Sequence, residues 1–130
     1  MIPYLSPENT YNYALNIIKG RFPEAEPIIA RDPEWAFRYA VFVVKGRFYE
    51  GESVIATDPE YVYYYALDVI EGRFYEGESI IVRDAEYAFY YARNVIKDRF
   101  PEAEPVIAQN TYWKNRYNEL IKKSEIDFIL

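Results

Sequence analysis

Apolar positions along this chain fall into sets that recur every 26 residues. In one unit they are Ala36, Phe37, Tyr39, Ala40, Val43 and Val44; in the next they are Val62, Tyr63, Tyr65, Ala66, Val69 and Ile70. Each set covers one broad face at about 100° per residue, the helical period, and the segments are too long and of the wrong period for strands. Polar punctuation brackets them. Ser6, Asp32, Asp58, Asp84 and Asn110 are residues whose side-chain oxygen can accept from a free N–H of a first turn. Pro7, Pro33 and Pro59 follow where a missing donor costs nothing, and Glu8, Glu34, Glu60 and Glu86 face the positive end of the helix dipole. Gly20, Gly46 and Gly72, with Asp98 in the fourth copy, stand where a left-handed C-terminal cap is wanted. The pattern predicts long helices over 7–19, 33–45, 59–71, 85–97 and 111–123. A small residue recurs mid-face (Ala14, Ala40, Ala66, Ala92), suited to close approach of another backbone.

The remainder of each unit reads Arg-Phe-(Pro/Tyr)-Glu-(Ala/Gly)-Glu-(Pro/Ser)-(Ile/Val)-Ile-(Ala/Val). Phe22, Phe48, Phe74 and Phe100, with Ile28-Ile29, Val54-Ile55, Ile80-Ile81 and Val106-Ile107, supply its apolar side. A short helix of two turns, partly 3₁₀, is expected near 24–30, 50–56, 76–82 and 102–108. Units of fixed length that cannot bury an apolar face alone must stack on their neighbours. The expected fold is therefore all-α: a short, right-handed α-solenoid of about four two-helix repeats (6–31, 32–57, 58–83, 84–109) in a single domain, 1–130, closed by a divergent capping helix in 110–130. In that last copy Trp113, Tyr117, Leu120 and Ile121 keep the inward face, while Lys114, Asn118 and Glu119 interrupt the pattern. The apolar tail Ile126-Asp127-Phe128-Ile129-Leu130 is expected to fold back over the last repeat; the alternative is a contact to a partner or second copy, and hence self-association.

Composition narrows the functional classes. With 51% apolar residues, 15 Tyr and 8 Phe, the chain can bury a core despite a formal charge of −6. It has no Cys and no His, so disulfides, thiolate chemistry, the usual general base and the commonest transition-metal ligand are all missing. Pro3, Ser6, Pro7 and Glu8 break any apolar run that could serve as a leader, and no apolar run reaches the ~20 residues of a membrane span. A cytoplasmic protein without membrane attachment is the expectation.

The units Asp32-Pro33-Glu34-Trp35-Ala36-Phe37-Arg38-Tyr39-Ala40 and Lys45-Gly46-Arg47-Phe48, and the link Phe22-Pro23-Glu24-Ala25-Glu26-Pro27, resemble the short tandem repeats of bacteriophage and large-virus proteins. More distantly the unit is similar to HEAT-type and leucine-rich-variant helical repeats. The resemblance implies a helical-repeat fold and a viral origin. It also implies a role in host takeover or counter-defence, with a host protein as partner in the host cytoplasm.

Comparing the copies separates scaffold positions from free ones. The seventh position varies (Asn12, Arg38, Tyr64, Tyr90, Arg116), as does the eleventh (Asn16, Phe42, Asp68, Asn94). They fall roughly opposite the apolar face, flanked by Asn9, Trp35, Tyr61 and Tyr87. Trp, Tyr and Arg combine large contact area with polar reach and dominate interface hot spots. Trp35, Arg38, Phe42, Tyr61, Tyr64, Tyr87 and Tyr90 are thus the candidate partner-binding residues; the competing account is that the aromatics pack between repeats. Arg21, Arg47, Arg73 and Arg99, each followed by two glutamates, recur in every full unit, which favours ion pairs between consecutive repeats or helix-end electrostatics over four equivalent catalytic or cation sites. Tyr13, Tyr39, Tyr65, Tyr91 and Tyr117 read as a packing ladder whose hydroxyls reach neighbouring polar groups. No phosphate loop, nucleophile set or dinucleotide fingerprint is present, so neither catalysis nor a cofactor or metal is expected. The leading expectation is a non-enzymatic, inhibitory protein-binding module. The alternatives are an acidic mimic of nucleic acid and a sponge for a nucleotide or sugar; direct nucleic-acid binding ranks last.

Overall fold

The computed structural model describes residues 6–129, with side chains through Ser124. Every described element is helical, and they alternate long and short. The long helices are α1 (7–18), α3 (33–44), α5 (59–70), α7 (85–96) and α9 (Thr111–Ile129); the short ones are α2 (23–29), α4 (49–55), α6 (Tyr75–Ile81) and α8 (101–107). Consecutive long helices pack side by side, each also carrying the short helix of its own unit. One core runs through the stack from Tyr11 to Tyr117. The expected all-α solenoid-like repeat is the observed architecture.

The N-termini close as the sequence predicts. Asp32 Oδ1 accepts from the Glu34 and Trp35 amides at 2.9 and 3.3 Å. Asp58 does so from Glu60, Asp84 from Tyr87, Ser6 from Asn9 and Asn110 from Trp113. The C-termini differ from expectation. The left-handed residues are Lys19, Lys45, Glu71 and Lys97, with φ of 58–60°, and none of the glycines after them has a positive φ. The reason is a π-turn ending each long helix, over Ala14–Ile18, Ala40–Val44, Ala66–Ile70 and Ala92–Ile96. Widening the last turn sends two amides to one carbonyl: Lys19 N–H donates to Ala14 O at 2.7 Å and Gly20 N–H to the same oxygen at 3.3 Å. The chain therefore reverses one residue before the glycine.

Two further boundaries move. Three of the short helices begin with a 3₁₀ turn, at Pro23–Ala25, Tyr49–Gly51 and Pro101–Ala103, one residue ahead of the predicted start. The last helix continues to Ile129 rather than stopping near residue 123, so the backbone does not turn back there. Contacts of the tail 126–130, and any self-association through it, lie outside the described side chains.

Burial explains which positions repeat. Tyr39, Tyr65, Tyr91, Phe48, Phe74, Phe100, Ile29, Ile55, Ile81 and Ile107 are the largest fully buried side chains, and Ala14, Ala40, Ala66 and Ala92 are wholly enclosed between neighbouring long helices. Full burial of one such Phe or Ile is worth about 1.5–3 kcal/mol.

Candidate interaction surface

At each seam between repeats the same four groups meet. Arg21 grips Glu26 with two parallel bonds of 2.9 Å, Nε to Oε2 and Nη2 to Oε1. The Tyr39 hydroxyl, from the next repeat, donates to Glu26 Oε2 at 2.6 Å and accepts from the Phe22 amide at 2.8 Å. Arg47–Glu52–Tyr65–Phe48, Arg73–Glu78–Tyr91–Phe74 and Arg99–Glu104–Tyr117–Phe100 repeat the arrangement. The expected ion pair between repeats is thus corrected: arginine and glutamate belong to one unit, because five residues of turn and short helix bring them face to face, and the tyrosine hydroxyl is what crosses the seam. Only the second glutamate of each pair takes part. Glu24, Glu50, Glu76 and Glu102 stay on the exposed surface.

This environment shifts the titrating groups. Burial, then the hydrogen bond to a carboxylate, drives the Tyr39, Tyr65 and Tyr91 hydroxyls well above the ordinary phenol value. The same causes push Tyr117, at the end of the stack, up to about 12. The Arg21 hydrogen bond holds the Glu26 carboxyl below its usual value, and Arg99 does so for Glu104. These groups are locked into the fold.

The seven candidate binding residues separate into two sets. Trp35, Tyr61 and Tyr87 are half-buried rungs between repeats rather than outward groups: Tyr11 meets Trp35 at 5.4 Å, Phe37 meets Tyr61 at 5.6 Å and Tyr63 meets Tyr87 at 6.1 Å. Tyr87 also donates to Glu60 of the preceding repeat at 3.0 Å. Tyr90 is half-buried between Tyr63 and Trp113. The remaining three reach solvent. Arg38 is exposed, held to Glu34 at 3.0 Å and stacked over Trp35 at 5.2 Å. Tyr64 presents one edge while its ring rests near Phe37 and Tyr63. Phe42 is 52% exposed.

Phe42 lines a surface depression of about 330 Å³ between the C-terminal ends of α1 and α3, with Leu15, Val43, Lys19, Lys45 and Gly20. The equivalent groove two repeats on is smaller, about 150 Å³; there Asn94 stands in place of Phe42 and donates to the Tyr63 hydroxyl at 2.7 Å. The four left-handed residues rim this side of the stack, which gives their long charged side chains a place to stand.

Sequence reasoning passed over Tyr49 and Tyr75, the most exposed large hydrophobic side chains among the described residues. A signal existed: they replace Pro23 and Pro101 at one position of the short-helix segment. Among the described residues no three Asp or Glu converge to hold a metal ion, and no helix is long and apolar enough to cross a membrane. Compared with known proteins, the chain matches no family model, no curated protein and no solved structure.

Proposed function

We propose that this chain is a non-enzymatic repeat module that binds a protein through the outer side of its long helices, centred on Arg38, Phe42 and Tyr64. The supporting observation is Phe42: a half-exposed phenylalanine on a long helix, beside a groove where Leu15 and Val43 meet Lys19 and Lys45, at a position where the other full copies place Asn16, Asp68 and Asn94. Packing does not require a ring there, whereas an interface anchor does. Trp35, Tyr61, Tyr87 and Tyr90 support that surface from beneath. The resemblance of the repeats to those of viral proteins extends the reading to a host-directed inhibitor acting in the host cytoplasm. The test is quantitative affinity capture from host extract with the parent chain and with Phe42→Ala/Tyr64→Ala. The double variant is expected to lose its specific partner while keeping its helical circular dichroism. An identical set of captured proteins at equal yield would overturn the reading.

A further inference from the structure

The short helices carry a second surface, distinct from the one above. Tyr49 and Tyr75 open α4 and α6 in adjacent repeats and are 71% and 72% exposed. Each ring is backed on one side by a fixed cation: the Arg47 guanidinium lies 4.8 Å from the Tyr49 centroid, and Arg73 lies 5.0 Å from that of Tyr75. Those guanidiniums cannot wander, because Glu52 and Glu78 hold them bidentately at 2.7–2.8 Å. The rings are therefore preorganised posts with one face open to solvent. The fold has no need of them, since the first and fourth repeats build the same turn with Pro23 and Pro101. Beside each post stands an exposed glutamate, Glu50 or Glu76, that enters no ion pair among the described residues.

We propose that Tyr49, Glu50, Tyr75 and Glu76 form a two-pronged docking site for a basic, extended segment of a partner protein, one arginine side chain lying on each open tyrosine face and reaching the adjacent glutamate. Charge complementarity favours this occupant. The first 92 residues carry fifteen Asp and Glu against eight Lys and Arg, and both posts lie within them. A cation on a tyrosine face gains from the ring quadrupole, and a nearby carboxylate adds to it. Spacing adds a second criterion. Packed helices stand about 8–10 Å apart. A segment in the extended polyproline II conformation rises about 3.1 Å per residue and brings every third side chain back to the same side, so arginines three positions apart match the posts and adjacent arginines do not.

The test uses two blocked peptides of identical composition, arginine with alanine and glycine. One has its two arginines three positions apart and the other has them adjacent; each is titrated into the full chain by isothermal calorimetry. The spaced peptide is expected to bind about tenfold more tightly, a margin that one additional cation–ring contact with its neighbouring carboxylate can supply. Tyr49→Ala/Tyr75→Ala, at positions that tolerate proline elsewhere in the chain, is expected to erase the difference while the melting temperature stays within a few degrees. Equal affinity of the two peptides for the parent chain would reduce the effect to general attraction by an acidic protein and overturn the site. Preference for the spaced peptide persisting in the double variant would do the same, as would no binding of either. Because Phe42 and Tyr64 are untouched, failure here leaves the long-helix reading standing.

Discussion

The two middle short-helix segments and the two outer ones solve the same packing problem with different residues. The outer copies use Pro-Glu-Ala-Glu-Pro (23–27, 101–105); the middle ones use Tyr-Glu-Gly-Glu-Ser (49–53, 75–79). All four keep the arginine–glutamate–tyrosine seam, so that seam is what the stack requires. The middle copies draw the arginine–glutamate bonds shorter, 2.7–2.8 Å against 2.9–3.0 Å in the outer ones, while burial follows position along the stack: the side chains of Glu26 and Glu52 are 8% and 7% exposed, Glu78 16% and Glu104, at the C-terminal end, 28%. They also remove a Cβ where Ala25 and Ala103 fit fully buried. Interior repeats thus carry shorter ion-pair bonds and an outward ring, while the outer ones carry proline at the same position.

Alkali should attack all the seams at once and rank them. A phenol whose folded pKa exceeds its unfolded value binds its proton more tightly when folded. Its contribution is therefore complete below the unfolded value of about 10 and declines as pH rises above it. For Tyr117 the decline ends near 12; for Tyr39, Tyr65 and Tyr91 it runs further. The melting temperature should fall steeply between pH 10 and 12, with the earliest tyrosinate absorbance step that accompanies unfolding removed by Tyr117→Phe. A melting temperature that stays flat across that window would contradict the seam description.

Single substitutions sharpen the contrast. Glu52→Ala strips Arg47 and the buried Tyr65 hydroxyl of their acceptor and should cost about 2–3 kcal/mol in urea unfolding. Glu104→Ala, at the more exposed end, should cost clearly less. Equal losses would mean that depth in the stack is irrelevant. Next in size is Gly77→Ala. An added Cβ would sit 2.5 and 2.7 Å from the two γ-methyl carbons of Val62, too close for either to stay in place, and overpacking of this kind costs about 1–3 kcal/mol. Adding Val62→Ala recreates the Ala88/Ala103 pair of the fourth repeat and should recover most of the loss. A double variant as unstable as the sum of the two singles would show that the interior copy cannot adopt the outer solution.

Much of this was legible in the chain itself, because internal repetition acts as a built-in comparison. The caps at Asp32, Asp58 and Asp84, the buried Phe and Ile ladders, and the enclosed Ala40 and Ala66 follow from local chemistry and helical period. The seam partners were less legible. Glu24 and Glu26 are equally plausible mates for Arg21 in one dimension, and only the turn between them decides that Glu26 faces inward. The half-buried state of Trp35, Tyr61 and Tyr87 was hidden for a related reason: a helical wheel shows which face a residue occupies but not how far the neighbouring helix wraps around it. Phe42 was found because its counterparts are polar, and the same comparison at Pro23, Tyr49, Tyr75 and Pro101 would have found the posts.

The smallest effect separates conformation from function at the helix ends. Lys45 occupies the left-handed region while Gly46, which could do so freely, does not; a Cβ on Gly46 would meet open space. Lys45→Gly relieves a backbone penalty of about 1–2 kcal/mol but gives back about 0.5–1 kcal/mol of chain entropy, so a net gain of about 0.5–1 kcal/mol is expected. Gly46→Ala should be neutral or slightly stabilising, by stiffening the unfolded chain. If instead Lys45→Gly destabilises, the π-turn geometry at that end is wrong. Where it does stabilise, the same variant tests why lysine stands there: Lys45 rims the Phe42 groove, and stability left unrealised at a site rim is what a binding role would explain. A Lys45→Gly chain that melts higher yet captures its partner less well would tie the strained residue to the surface. One that melts higher and binds equally would assign the lysine to solubility alone.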